Sequence, residues 1–233
     1  MELNGISIYD PNPVVLENLK LLFPAISVSA DDLSRAAKSD ILFLAVHPPF
    51  MMDTLSAIKS YVSPTCIIVS LAPKITIEKI AFSLPDAPNL VRMNPSASTY
   101  INQGINPVSF AKSISPVARQ SLIDLMKPLG AMPEVEEQKI EAYALISAMG
   151  HTYFWFQLQK LKELAIGFGM TGEEAEKVIK GMMDGTVKTL FHSGLGYDEV
   201  IDLVPVKPLA PFETTISGFY DEQLVTLYNK IKP

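Results

Sequence analysis

The first part of the chain alternates short apolar runs with amphipathic segments. The runs Ile41–Val46 and Cys66–Leu71 contain no charged residue, which is typical of parallel strands covered on both faces. A helix is predicted between them, over Met51–Tyr61. This rhythm predicts an α/β layer with a parallel sheet. The other predicted elements are strands at Ile6–Tyr9, Ile26–Ser29 and Asn89–Val91, edge strands at Asn106–Ala111 and Met132–Glu136, and helices over Val14–Leu22, Leu33–Lys38, Ile77–Phe82 and Pro116–Leu129.

The later part of the chain has only helical patterns. In the stretch Ile140–Gly169 no residue between Glu141 and Lys160 is charged, and the apolar side chains are not confined to one stripe. A helix that is apolar all round must be buried on all sides. Polar residues interrupt the stretch, so it is a poor membrane span. We therefore predict a central helix enclosed by other helices, some of them from a second copy of the chain.

A second long helix is predicted after this stretch. Thr171 and Glu174 form a capping box at its start, and Gly194 lies just past its end, as a C-terminal glycine should. Its predicted buried stripe is Ala175, Val178, Ile179, Met182, Met183, Val187 and Leu190.

The change of pattern near Glu137 predicts two domains. An α/β domain with a Rossmann-like parallel sheet is expected over residues 1–136, and an all-α domain over residues 137–233. At 48% hydrophobic residues the chain has ample material for both cores.

Composition and charge mainly exclude certain classes of partner and site. A net charge of −6 argues against a nucleic-acid partner, which needs clustered Lys and Arg. The start has neither a basic segment nor a long apolar one, so no signal peptide is predicted and a cytoplasmic protein without a membrane segment is expected. Cys66 is interpreted as a small buried hydrophobe. The three His and one Cys lack metal-ligand spacing, so no metal site is predicted.

Ligands of open parallel sheets bind beyond the carboxyl ends of the strands. Asp10, at such an end, could accept hydrogen bonds from a ribose or could start a turn with Asn12. His47, before two prolines, could be a ligand-loop residue or a surface histidine. His151 is interpreted as a core residue and His192 as a histidine at a helix end. The rule selects Asp10–Asn12, Val46–Pro49, Leu71–Lys74 and Asn94–Ser98.

Five segments along the chain together carry a resemblance to a known family. They are Ser39–Phe50 (SDILFLAVHPPF), Val69–Thr76 (VSLAPKIT), Leu90–Ser98 (LVRMNPSAS), Ile146–Tyr153 (ISAMGHTY) and Ala210–Phe219 (APFETTISGF). In this order, and over nearly the whole chain, they resemble segments of pyrroline-5-carboxylate reductases. The corresponding family segments are the strand and cofactor loop (A-D-hydrophobic-FLAVKP), the next strand end (S-I-A-A-G-I), VRVMPNTPA, LSGSGPAY and SPGGTTIAGL.

The resemblance implies an NAD(P)H-dependent reductase of the proline-biosynthesis type. Hydride would pass from the nicotinamide of NADP or NAD to the C=N carbon of a small cyclic imine. It also implies an interlocked homodimer, in which the helical halves of two subunits build each other's active sites. The cofactor would belong to the α/β domain and the substrate to the helical domain.

The resemblance also implies roles for individual residues. Thr214 and Thr215 would face the substrate, with the Thr215 hydroxyl donating a hydrogen bond to the region of the imine nitrogen. The protein would supply orientation and electrostatics, since the hydride chemistry belongs to the cofactor. The residues expected at the cofactor, by the resemblance or by the strand-end rule, are Asp10, Asn12, Ala45, Val46, His47, Pro48, Ala72, Pro73 and Asn94.

The chain departs from the family first at its beginning. The family's opening strand and its G-x-G-x-x-G turn are absent, and Ile6–Tyr9 aligns with the family's second strand. That leaves a missing strand between Ile6–Tyr9 and Ile41–Val46. Unpaired backbone groups in the interior cost roughly 1–3 kcal/mol each. Either Ile6–Tyr9 moves in beside Ile41–Val46, or the true start lies upstream.

Two further departures concern the substrate side. Phe212 and Glu213 replace the paired glycines before Thr214, and Ala148 and His151 replace glycine and proline in the family's SGSGPA segment. A carboxylate nearby would repel an anionic substrate by about 1–4 kcal/mol, depending on the local dielectric. The alternative function is a dimeric protein that keeps the scaffold and has lost cofactor binding.

Overall fold

The computed structural model describes residues 5–233. The strands are β1 (Ser7–Tyr9), β2 (Ser27–Ser29), β3 (Ile41–Leu44), β4 (Ile67–Ser70), β5 (Leu90–Met93), β6 (Gly104–Ile105), β7 (Val108–Phe110) and β8 (Gly130–Ala131). The α-helices are α1 (Pro13–Leu22), α2 (Ser34–Ala37), α3 (Pro48–Ile58), α4 (Ile77–Ser83), α5 (Pro116–Met126), α6 (Ile140–Tyr143), α7 (Gly150–Gly167), α8 (Gly172–His192), α9 (Tyr197–Asp202) and α10 (Glu213–Ile231).

A four-stranded sheet in the order β3-β4-β5-β7 forms the centre of the α/β region. β3, β4 and β5 are parallel, and β7 closes the far edge antiparallel to β5. Alternate side chains of β4 and β5 enter opposite layers of core, and every residue of both strands is buried. One layer contains Met51, Leu55, Ile68, Ile80 and Leu90, and the other contains Val69, Val91, Ala118, Leu122 and Met126. The predicted Rossmann-like parallel layer is confirmed.

The first two strands form a separate parallel sheet, β1-β2. The prediction that Ile6–Tyr9 moves in beside Ile41–Val46 is therefore wrong. On β3 the Leu44 carbonyl accepts the Leu71 N–H at 3.1 Å, so Leu44 bonds toward β4. Backbone groups of successive residues in a strand point to opposite sides, so those of Ile41 and Phe43 point to the other edge of β3. Among residues 5–233 no strand pairs with that edge.

Met132–Glu136 is not the predicted edge strand. Only an isolated bridge joins Val108 to Glu134, because Pro133 has no N–H to donate to a ladder. The strand forms earlier, where β8 pairs with β6. There Gly130 has φ +127° and lies so close to the Gly104 backbone that a Cβ would not fit.

Helix α3 begins three residues before the predicted Met51. Pro48 and Pro49 occupy its first turn, where a missing N–H costs no hydrogen bond and the fixed φ suits the helix. The prediction treated these prolines only as loop residues. After β5, the predicted strand-end segment Asn94–Ser98 runs into a 3₁₀ helix, Ala97–Ile101.

The described residues divide into two compact units. The first, here called the sheet unit, extends to Ala148 and also includes Tyr228–Pro233; the second, the helical unit, is Met149–Leu227. An all-α region after the sheet is as predicted, while the domain boundary at residue 136 stays a prediction. No helix among residues 5–233 is long and apolar enough to cross a membrane.

The stretch Ile140–Gly169 is not one regular helix. It consists of α6, a π-helical turn at Ala144–Ala148, and α7. The prediction of burial on all sides is not met within one chain, since Trp155 is 55% exposed and Phe156 69% exposed.

Helix α8 has the predicted ends but not the predicted burial. Thr171 and Glu174 form the capping box, through bonds of 3.2 and 2.7 Å, and Gly194 takes φ +80° just beyond the helix. Of the expected stripe only Ala175 is buried, and Val178 is among the exposed members. Ile179, Met183 and Leu190 are half-buried, so the stripe is only partly covered in one copy of the chain.

Candidate functional site

The carboxyl ends of β3, β4 and β5 meet at one edge of the sheet. Leu44 is in register with Ser70, and Ser70 with Arg92. The chain therefore leaves the sheet side by side at Ala45 and Leu71. The structure brings together two groups of predicted cofactor residues, Ala45, Val46, His47 and Pro48 after β3 and Ala72 and Pro73 after β4.

The exposure of these residues suits a ligand surface. Ala45 and His47 are exposed and Pro73 is half-buried, whereas Ala72 is buried. His47 lies at the cap position of α3 and makes no capping hydrogen bond with its side chain. Its position on an exposed strand-end loop is compatible with either interpretation, ligand-loop residue or surface histidine.

Asn94 follows β5 but its side chain points into the protein. The residue is buried, and its Nδ2 donates to the Ile140 carbonyl at 2.8 Å. Its backbone N–H donates to the Pro107 carbonyl. Asn94 therefore fixes the segment that leads into α6, and its amide nitrogen is engaged within the chain.

Asp10 and Asn12 follow β1, in the separate sheet. Asp10 Oδ1 accepts the Asn12 N–H at 2.8 Å, and Asn12 Oδ1 accepts the Val14 N–H at 3.0 Å. These bonds make the turn and cap α1. Of the two interpretations of Asp10, the structure shows the turn.

Thr214 and Thr215 lie in the helical unit, in the first turn of α10, and both are exposed. Beside them, Glu213 Oε1 accepts a hydrogen bond from Tyr197 Oη at 3.3 Å. The negative charge of Glu213 raises the pKa of Tyr197. The carboxylate that replaces a family glycine is thus exposed and has one polar neighbour.

The remaining histidines lie in the helical unit. His151 is half-buried and stacks on Trp155, with ring centroids 5.6 Å apart, so it is not the enclosed core residue that was predicted. His192 is the last residue of α8, as expected. Among residues 5–233 no group of three or more His, Cys, Asp or Glu is arranged to hold a metal ion.

Sequence reasoning missed a buried charge cluster behind the strand ends. The side chains of Arg92 and Glu141 are each 1% exposed, and Arg92 Nη2 lies 2.5 Å from Glu141 Oε1. Arg92 Nη1 also lies 3.3 Å from Glu137 Oε1. One signal was available, since a buried arginine within an otherwise apolar strand needs an acidic partner. The sequence does not say which acid that is.

The strand-end loops carry small or apolar residues, among them Ala45, Ala72 and Pro73. The start of α1 does not offer a diphosphate site, because its own turn uses the first amides and Pro13 has no N–H. A glycine-rich turn that would donate to a diphosphate is not found among residues 5–233.

Fold and site together define the class: a Rossmann-like α/β domain with ligand loops at the strand ends, followed by an all-α domain. No protein-family model matches the sequence. The chain is 23% identical over 195 residues to a pyrroline-5-carboxylate reductase of Methanosarcina acetivorans, covering 84% of this chain and 71% of that protein.

Solved structures agree in fold. The pyrroline-5-carboxylate reductase of Streptococcus pyogenes superposes with a TM-score of 0.78 at 15% identity, covering 97% of this chain and 89% of that one. A Plasmodium falciparum pyrroline carboxylate reductase with NADP bound gives a TM-score of 0.67 at 17% identity, covering 88% and 78%. The chain is thus similar in sequence to a pyrroline-5-carboxylate reductase and shares the fold of solved structures that carry this name.

Proposed function

We propose that this chain is an NAD(P)H-dependent reductase of the pyrroline-5-carboxylate reductase type, acting on the C=N bond of a small molecule. The observation that carries the proposal is similarity, over 84% of the chain, to a protein named for that activity. The adjoining loops after β3 and β4 support it, because they lie where dinucleotides bind in open parallel sheets.

The residues divide between cofactor and substrate. Ala45–Pro48 and Ala72–Pro73 hold and orient the nicotinamide half of the cofactor. A bound nicotinamide dinucleotide supplies hydride to the unsaturated carbon. Thr215 donates its hydroxyl hydrogen bond near the imine nitrogen, where charge changes in the reaction, and Thr214 packs beside the substrate. An oriented donor of this kind typically contributes about 100-fold or more to turnover.

A second copy of the chain completes the helical unit in this proposal. Phe154, Trp155 and Phe156 are consecutive and all exposed in one copy. Consecutive residues of a helix point about 100° apart, so these side chains are spread around α7. Large apolar side chains left uncovered in this way mark an interaction surface. The resemblance to interlocked dimers supports a second copy of the same chain as the partner. Thr214 and Thr215 would then complete a site with the loops of the other subunit.

Binding of the cofactor is the first test. The purified protein is titrated with NADPH and with NADH, following Trp155 or nicotinamide fluorescence. Saturable binding below millimolar concentration is expected for at least one of them. If neither binds, the alternative applies: a dimeric protein that keeps the scaffold without the cofactor.

The role of Thr215 is tested by substitution. T215A is expected to lower turnover about 100-fold on any imine found to be a substrate. T226A is the matched control, since Thr226 is an exposed threonine farther along α10, and its turnover should be unchanged. Equal turnover of T215A and the parent protein would remove Thr215 from the mechanism.

The substrate is tested at Glu213. If its carboxylate repels an anionic imine, the F212G/E213G double variant should reduce pyrroline-5-carboxylate with a KM lower than that of the parent protein. The F212G single variant controls for the loss of the aromatic ring. A KM that does not change in the double variant would show that Glu213 does not select the substrate.

A further inference from the structure

Burying the Arg92–Glu141 ion pair costs free energy. Both side chains are 1% exposed, and Arg92 Nε and Glu141 Oε2 have no hydrogen-bond partner among the described residues. Removing two charges from water is often not repaid by their attraction, so a buried pair is weak evidence of a gain in stability. Its contacts indicate another role.

The pair contacts the loop that follows β4. Glu141 Oε1 accepts the Lys74 N–H at 3.3 Å, and Arg92 Nη2 donates to the Ala72 carbonyl at 3.5 Å. The two charged groups therefore hold the backbone on both sides of Pro73, in one of the two loops assigned to the cofactor.

A neighbouring carboxylate, that of Glu137, also holds this loop. Glu137 Oε1 contacts Arg92 and also accepts the N–H of Ile77, the first residue of α4, at 2.7 Å. The loop from Ala72 to Ile77 is thus fixed by side chains that come from far along the chain: Glu137 is 60 residues from Ile77, and Glu141 is 67 residues from Lys74.

The loop has an unfavourable backbone conformation at its centre. Lys74 has φ +65° and is one of two non-glycine residues with positive φ in the described chain; Asn102, at +60°, is the other. The left-handed region is costly for a residue with a Cβ and persists only where the surroundings hold it. At Lys74 the surroundings include the carboxylate of Glu141.

We propose that Arg92 and Glu141 are positioning residues, which hold the Ala72–Lys74 turn in the shape that receives the nicotinamide cofactor. This inference rests on the proposed function, because it assigns the loop to the cofactor. Neither residue touches the cofactor in this scheme; both act through the backbone of the turn.

The test uses E141Q, which keeps an acceptor oxygen but removes the charge that pairs with Arg92. We expect NADPH to bind about tenfold more weakly, and amide exchange over residues 71–77 to become faster. Should E141Q fail to fold, R92K replaces it, since lysine keeps the charge but cannot make the two-pronged contact.

A second substitution in the E141Q variant shows whether E141Q acts through the shape of the turn or only through a general loss of stability. In the E141Q background, K74G is expected to restore NADPH affinity to within about threefold, because glycine adopts positive φ without strain. K74A removes the same side chain and keeps the strain, so it should not rescue. N102G relieves the same kind of strain in a turn that the pair does not contact, so it should also fail to rescue.

The outcomes distinguish this inference from the proposed function. If the parent protein binds neither NADPH nor NADH, the proposed function fails, and exchange at residues 71–77 alone decides the positioning claim; if it binds only NADH, the affinities above are measured with NADH. If E141Q leaves that exchange unchanged, the claim is overturned. It is also overturned if exchange rises while NADPH affinity stays the same, or if K74A rescues as well as K74G.

Discussion

The sheet unit encloses two clusters of buried apolar residues, although others, such as Phe82, are exposed; the helical unit leaves most of its large apolar residues uncovered. Leu55, on α3, is fully buried between the sheet and its neighbours, while Leu164, on α7, is 41% exposed. Both units are rich in large apolar residues, so they differ in how well other parts of the chain cover those residues. The sheet unit can shield its core alone. The helical unit needs another surface, for which we propose a second copy of the chain.

The first prediction compares equal substitutions in the two units. L55A should destabilise the protein by about 2–5 kcal/mol at every protein concentration, because it leaves a cavity in a closed core. L164A should show a comparable cost only at concentrations where two copies associate. Urea unfolding of both variants over a wide concentration range measures this. A cost for L164A that is independent of concentration would contradict the difference between the units.

The second prediction introduces a charge. F156E should weaken self-association by about 3 kcal/mol or more, because an unpaired carboxylate would be buried in the interface. F82E is the control: Phe82 is 88% exposed on α4 in the sheet unit, and its replacement should change neither mass nor stability by much. Sedimentation of both variants decides the point; equal association of F156E and the parent protein would rule out this face.

The third prediction compares the two sheets within the sheet unit. The Ser27 N–H, in β2, and the Ile68 N–H, in β4, donate ordinary bonds of 2.8 and 2.9 Å. Ile68 lies in a strand buried on both faces, whereas β2 has a single partner strand. Amide exchange at Ser27 should be at least about 100-fold faster, since short strands with an open side unfold locally. Equal rates would mean that β1 and β2 are covered by something further.

The last prediction concerns pH. Burial raises the pKa of the Cys66 thiol from 9.0 to about 11. The unfolded chain then loses the thiol proton at lower pH than the folded one, so this stabilising contribution is present below pH 9 and lost as pH rises towards 11. The loss should reach about 2 kcal/mol. Urea unfolding should show C66A losing less stability than the parent protein over that range; identical slopes would contradict it.

The central strands could be predicted because their pattern leaves few alternatives. Continuous apolar runs such as Ile41–Val46 and Cys66–Leu71, separated by a helix, fit only a covered parallel sheet. The capping box at Thr171 and Glu174 is local chemistry, so it too could be read directly from the sequence.

Long-range features could not be predicted in this way. Glu137 and Glu141 are 45 and 49 residues from Arg92, and no local rule selects them over other acids. The pairing of β6 with β8 depends on two glycine backbones approaching each other, which the pattern around Met132–Glu136 does not reveal. The exposure of apolar residues along α7 and α8 could not be predicted either, because apolar periodicity does not distinguish a face covered by the chain's own core from one left for a partner.

The mass of the unmodified protein in solution tests the central claim most directly. Sedimentation equilibrium from nanomolar to micromolar concentration, combined with quenching of Trp155 fluorescence, measures association and coverage together. We predict twice the mass of the chain at micromolar concentration, with Trp155 protected from the quencher only in that form. A single-chain mass throughout, with Trp155 already protected, would contradict the pairing and the shared site built on it.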